Sequence, residues 1–292
     1  MGTWGFGDVP ERREQELAAV KAALDIGYRI IDTAELYGNG ECERIIGAVL
    51  AQFGRARRSE LFLISKVLPA NATYEGTIRA CENSIERLGC EYLDLYFLHS
   101  RGTLPLKDTV RAFDELLKRG LVRHIGVSNL GAEGFEEWRA AERSVGIRSP
   151  AVCQEIGYSV DHPGIEFGLL DWQRARGIQT IAYEPLGRGR LTQHPVLAEL
   201  GRARGASAAQ IALAWCLRQP DVIAIPKSVH PERLAENLRA ADIKLTAEEL
   251  RRIDRAFPVR NRWLRQSKLI RGARSVVRRL TGRTSASGPP QH

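Results

Sequence analysis

Several features are missing from this chain of 292 residues. No apolar run approaches the ~20 residues that span a bilayer. The N-terminus lacks the basic-then-apolar profile of a secretory signal. The five cysteines, Cys42, Cys81, Cys90, Cys153 and Cys216, are odd in number and scattered, without the paired spacing of a metal site. Together these absences point to a reduced, cytosolic protein without a metal. Acids are missing from 258–292, where nine Lys and Arg stand. The other 34 basic groups face 35 acids, so residues 1–257 sum to about −1 and the net +8 belongs to the tail. The body therefore makes no electrostatic case for nucleic-acid binding. Also missing is a Gly-x-Gly-x-x-Gly turn after the first strand, since Gly2, Gly5 and Gly7 do not have that spacing.

What is present is alternation. The chain is 43% hydrophobic, enough for one large core. Short apolar runs begin near Arg29, Leu61, Leu93, Val122, Ala151, Gln179 and Val222, with gaps of 32, 32, 29, 29, 28 and 43 residues. Between them lie helical spacings: Leu17, Val20 and Leu24; Ile45, Val49 and Phe53; Ile78, Cys81, Ile85 and Leu88; Val110, Phe113 and Leu117. Gly27, Gly54, Gly89 and Gly120 follow these patterns, as expected of residues that accept the left-handed turn ending a helix. Thr246 and Glu249 have the spacing of a capping box.

Strand–helix units of this period imply a parallel sheet with right-handed crossovers. Continuous apolar strands imply a sheet buried on both faces. An open doubly wound sheet and a (β/α)8 barrel compete. The absent glycine motif, with seven evident strands plus a remnant at the start, favours a (β/α)8 TIM barrel over 1–257. Barrel active sites gather at the C-terminal strand ends. Four proton-active side chains fall there: Asp32 and Tyr37 after the first run, Lys66 at the end of the second, His99 at the end of the third. Taken singly, each is an ordinary cap, solvated charge or packed ring. Together they make a proton donor set. Hydride transfer to a carbonyl puts negative charge on its oxygen, so an acid must stand close. A phenol beside an ammonium is expected to have a lowered pKa.

The segments Gly2-Thr-Trp4, Gly27-Tyr-Arg-Ile-Ile-Asp-Thr-Ala34, Ile64-Ser-Lys66, Leu98-His99, Ile125-Gly-Val-Ser-Asn129, Tyr183-Glu-Pro-Leu-Gly187 and Ile225-Pro-Lys-Ser-Val229 resemble those of the aldo-keto reductases, in the family's order. The run from Ser65 through Asn83 is similar to the bacterial branch that includes methylglyoxal reductases. The resemblance implies reduction of a small aldehyde or ketone by NADPH. It makes Tyr37 the acid, Lys66 its tuning cation, Asp32 the anion holding Lys66, and His99 the group that orients the carbonyl. It also implies a cofactor site. Ser128, Asn129 and Gln154 would bond the nicotinamide carboxamide, Tyr183 would stack on the ring, and Gly2, Thr3 and Trp4 would line that end. Leu186 and Gly187 would follow the pyrophosphate. Lys227, Ser228 and Arg233 would hold the 2′-phosphate, with Glu236 and Asn237 at the adenine. Trp4 and Ser100 are expected in the substrate pocket, and a monomer is the family's default.

The chain departs from the family at several points. Ser100 stands where many relatives have tryptophan, and Arg101, where proline is common, is placed to bring positive charge to the mouth. Cys153 and Gly157 replace a common asparagine and tyrosine. Glu184 replaces a serine beside the pyrophosphate, an anion that Arg188 or Arg190 would have to offset. The chain begins almost at Gly2-Thr-Trp4, without the N-terminal hairpin of relatives: either this is not the natural start, or the first strand is stunted, which would leave neighbouring backbone groups exposed. Over 258–292, Trp263, Ile270 and Val277 recur at seven, suggesting a basic amphipathic helix before a disordered end. That tail either covers the barrel or docks on an anionic surface, membrane or nucleic acid. Two other functions stay open: a cofactor-binding regulatory protein with little turnover, and a biosynthetic reductase of one larger carbonyl substrate.

Overall fold

The computed structural model describes residues 1–258; the tail helix suggested around Trp263, Ile270 and Val277 lies outside the described residues. Seven strands run parallel in sequence order: β1 (Ile30–Asp32), β2 (Phe62–Val67), β3 (Leu93–Leu98), β4 (Val122–Ser128), β5 (Cys153–Gly157), β6 (Gln179–Tyr183) and β7 (Val222–Ala224). Each starts within two residues of the position expected from the apolar runs. The helices are α1 (Arg13–Ile26), α2 (Glu41–Phe53), α3 (Tyr74–Leu88), α4 (Leu106–Lys118), α5 (Ala132–Val145), α6 (Leu169–Arg174), α7 (Pro195–Arg202), α8 (Ala208–Leu217), α9 (Pro231–Arg239) and α10 (Ala247–Ala256). The long sixth gap holds two helices, α7 and α8, and Ser207 with Gln210 starts the second with a capping box. The expected box at Thr246 and Glu249 starts α10.

This is a TIM barrel, and the segment before the first helix closes it. Gly2 bridges to Asp32 in the parallel sense, the Asp32 N–H donates to the Met1 carbonyl at 2.9 Å, and the Gly2 N–H donates to the Pro226 carbonyl at 3.1 Å. The remnant therefore satisfies backbone groups on both sides of the seam, at the end of the barrel where the strands finish. The strands beside the seam are short, β1 and β7 being three residues each.

Two apolar layers result. Outside the sheet, buried Tyr96, Phe113 and Trp138 meet ring to ring at 5.6 and 5.7 Å, coupling β3 to α4 and α5. Each such ring contributes roughly 1.5–3 kcal/mol by leaving water. Inside the barrel, Ile64, Leu95, Phe97, Cys153, Ile181 and Ile225 fill the lumen. Cys153 thus acts as a small apolar filler. Gly126 of β4 lies where Phe97 crosses: a β-carbon there would sit 2.3 Å from Phe97 Cε1 and 2.7 Å from the Cys153 carbonyl oxygen. Replacing Gly126 with alanine forces Phe97 or β5 to move, and is expected to cost about 1–3 kcal/mol. The midpoint of urea unfolding reads that loss, and an unchanged midpoint contradicts the packing described.

Candidate active site

The ends of the strands converge on a buried ammonium. Lys66, next to last in β2, is fully buried. Its Nζ lies 2.8 Å from each carboxylate oxygen of Asp32, the last residue of β1, and 2.9 Å from the Thr33 carbonyl. Glu155 of β5 brings a third carboxylate oxygen to 3.2 Å. Burial works against the ammonium, but Asp32 and Glu155 outweigh it and hold the Lys66 pKa above its usual value.

Tyr37 reaches this group from a tight turn over Tyr37–Gly40, in which Gly38 and Asn39 adopt positive φ of 54° and 51°. A side chain at Gly38 is excluded, since its β-carbon would lie 2.7–2.9 Å from the backbone of Gly7. The Lys66 Nζ stands 5.3 Å from the centre of the Tyr37 ring. The expected lowering of the Tyr37 pKa is not the net result. Burial pushes it up, Lys66 only partly offsets this, and Asp32 and Glu155 add to the rise. The chief reason is burial of the phenol, which the one nearby ammonium does not outweigh.

His99 follows β3 and meets the Tyr37 ring edge-on at 6.0 Å. Its Nδ1 is buried without a partner, leaving Nε2 as the ring nitrogen available to the cavity. Burial, with the Lys66 charge, lowers its pKa to about 4, so the imidazole is neutral at pH 7.

Tyr37 and His99 open into a cavity of about 1000 Å³, at the upper end for small-molecule sites and long enough to reach α9. Gly2, Thr3, Trp4, Asn129, Tyr183 and Leu186 line it. So, farther off, do Lys227, Ser228, Arg233, Glu236 and Asn237. Ser128, Gln154, Gly187 and Ser100 do not. Ser128 and Gln154 are packed behind Asn129, whose amide donates to Ser128 Oγ at 3.0 Å and accepts from the Tyr183 hydroxyl at 2.8 Å. The Tyr183 ring lies over Gly157, where a β-carbon would come within 3.2–3.3 Å of it, so the missing side chain at 157 is space that Tyr183 uses. Gln154 donates its amide to the Leu130 carbonyl at 2.6 Å and leaves Oε1 buried and unpaired. That orphaned acceptor is enclosed in the protein and does not face the cavity.

Two expectations about charge at the mouth are corrected or resolved. Arg101 brings no free cation: it forks onto Glu137 of α5 at 2.9 and 2.6 Å and donates to the Gly102 and Leu104 carbonyls, and Ser100 before it is not part of the cavity lining. Glu184 is offset by Arg188 at 2.8 Å, and the Arg188 guanidinium lies 5.1 Å from the centre of the Trp4 ring. Arg190 is taken by Asp161 at 2.8 Å.

Two residues escaped the sequence reading. Arg12, just before α1, lines the cavity and helps burial to lower the Lys227 pKa. Cations crowded at one end of a cavity suit a multiply charged anion. No strand-end rule could find Arg12, because it lies in a turn before a helix. Glu155 was findable, since it follows Gln154 in the C-terminal half of a recognised strand. Among the described residues, no cluster of three or more His, Cys, Asp or Glu is placed to hold a metal, and no helix is long and apolar enough to cross a membrane.

Compared with known proteins, residues 1–257 match the profile of the Aldo/keto reductase family. A methylglyoxal reductase of Escherichia coli is 35% identical over 264 residues, covering 88% of this chain and 90% of its own length. A glyoxal reductase of Bacillus subtilis is 37% identical over 245 residues, 84% of each chain. Among solved structures, an aldo-keto reductase from Klebsiella pneumoniae in complex with NADPH is 39% identical with a TM-score of 0.82, covering 89% of this chain and 90% of that one.

The surroundings of His99 make a direct prediction. Its ring resonances, followed by NMR, should show no protonation between pH 8 and 5 and should titrate near pH 4. A midpoint at the ordinary value near 6.5 would mean that the ring is solvated and not turned into the protein.

Proposed function

This chain belongs to the aldo/keto reductase family, and on that premise we propose that it reduces a small aldehyde or ketone to the alcohol with NADPH, methylglyoxal-like 2-oxoaldehydes being the leading substrates. One observation carries the reading: a fully buried Lys66, bonded to both oxygens of Asp32, stands beside a phenol on the wall of a cavity whose other wall holds a neutral imidazole.

In this reading the substrate oxygen sits between the Tyr37 hydroxyl and His99 Nε2. His99, being neutral, aims the carbonyl by a hydrogen bond without competing as an acid. Tyr37 keeps its proton at neutral pH because burial favours the uncharged phenol. As negative charge grows on the substrate oxygen, that proton moves to it, and the Lys66 ammonium stabilises the phenolate left behind. Asp32 holds Lys66 charged and in place throughout. NADPH, when bound, supplies the hydride.

The cavity accommodates such a cofactor from end to end. Lys227 and Arg233, with Arg12 added, would hold the 2′-phosphate, and Ser228 would cap the same group. Glu236 and Asn237 would face the adenine. The turn from Leu186 to Arg190, with backbone N–H groups near Gly187 and Gly189, would follow the pyrophosphate. Gly2, Thr3 and Trp4 would border the nicotinamide, and Tyr183 would lie against its face. For the carboxamide, Asn129 is at the surface of the cavity and would be its first partner, with Ser128 and Gln154 buried and away from the lining. The relatives named above carry the substrate choice: one is a methylglyoxal reductase and another a glyoxal reductase.

Turnover followed by loss of NADPH absorbance over a panel of carbonyls tests the reading, with methylglyoxal expected among the faster substrates. In Tyr37→Phe, kcat is expected to fall by roughly 10²–10⁴-fold. NADPH affinity should stay within about threefold, because the ring remains and only the proton is lost. Unchanged turnover in that variant would remove Tyr37 as the acid.

A further inference from the structure

The donors of Lys66 are fully committed. An ammonium has three N–H groups, and the two Asp32 oxygens and the Thr33 carbonyl accept all three, at 2.8, 2.8 and 2.9 Å. Glu155 Oε2 comes within 3.2 Å of the same nitrogen, yet it is buried without a hydrogen-bond partner. It lies in the field of Lys66 without a well-formed hydrogen bond from it, at the inner wall of the cavity. The Asp32 and Glu155 carboxyl groups thus crowd against one nitrogen, at 2.8 and 3.2 Å. Asp32, Lys66 and Glu155 are all at most 3% exposed. Two ionised carboxylates against one ammonium would leave an uncompensated negative charge in the barrel, next to the phenol that must give up a proton. Like charges this close and this dry do not both stay ionised.

We propose that Glu155 carries a proton in the working protein and donates a hydrogen bond to Asp32, so that the Lys66 charge is left to act on Tyr37. Glu155 is a positioning residue: it acts through Asp32 and Lys66. The charged and titratable groups around it come from four strands and one turn. They are Asp32 from β1, Tyr37 from the turn after it, Lys66 from β2, Cys153 on its own strand, and Tyr183 from β6. Only Lys66 is a cation, so nothing else in the cluster offsets a second anion. Burial and the neighbouring Asp32 also push the Glu155 pKa well above the carboxylate range, with Lys66 working the other way. The inference answers the raised Tyr37 pKa. An ionised Glu155 adds to that rise, and a protonated one does not.

The consequence for catalysis rests on the reductase reading; the proton itself does not. Difference infrared spectroscopy of wild type against Glu155→Gln at neutral pH, full chain, reads the proton directly. The carbonyl stretch of a protonated carboxyl group should be present in wild type and lost in the variant. Loss of carboxylate bands alone would overturn the proposal. Kinetics then read the role. Glu155→Gln, a neutral isostere, should keep kcat within about threefold and leave the alkaline limb of the kcat profile in place. An ionised Glu155 predicts otherwise: removing an anion near Tyr37 would move that limb about one pH unit or more toward acid. Glu155→Leu cannot donate to Asp32, and should lose roughly 10–100-fold in kcat while NADPH affinity stays within about threefold. A fully active leucine variant would overturn the positioning role. Because the infrared band needs no turnover, a wild type inert to every carbonyl but showing the band would count against the reductase reading and for the proton on Glu155.

Discussion

The structure depends on one ammonium kept out of water. Burying Lys66 alone would cost several kcal/mol, and the cost is met only by close, well-aligned acceptors. Asp32 supplies two and the Thr33 carbonyl a third. That demand reaches outward. Asp32 must end β1 in register with Ile64, two residues before Lys66 in β2, and the segment through Gly2 must close the seam beside it. The Tyr37 turn must then fold back over Gly7, which leaves no room for a side chain at Gly38. The barrel places Asp32 and Lys66 by strand register.

Most of this architecture can be read in the sequence because it follows from periodicity. The apolar runs located all seven strands, and the capping residues Thr246 and Glu249 did what their spacing suggests. Gly27 and Gly89 end their helices in the left-handed conformation, whereas Gly54 pairs its positive φ with an extended ψ and begins a new turn. The cluster of Asp32, Tyr37, Lys66 and His99 was visible because strand ends in a barrel share one face, so separations near 30 residues become contacts.

Charge balance was less visible, because it is a property of three dimensions. Lys66 was expected to lower the Tyr37 pKa; seen alone it does, but burial of the phenol outweighs it. Arg101 reads in sequence as a free cation at the mouth, and only the packing of α5 supplies Glu137 to hold it. Arg12 reads as a helix-start residue, and only the fold brings it to the cavity wall with Lys227. Similar reasoning applies to Gln154, whose strand position was legible while its unpaired oxygen was not. Relatives named for methylglyoxal and glyoxal reduction share the frame that makes these details matter.

The central claim is that Lys66 acts on the reaction through Tyr37 and not separately. A double-mutant cycle on kcat with Lys66→Met and Tyr37→Phe tests it most directly. If the phenol is the acid and the ammonium stabilises its phenolate, the double variant should be no slower than the slower single variant. Losses that multiply would mean that the two residues contribute independently, and would contradict the account.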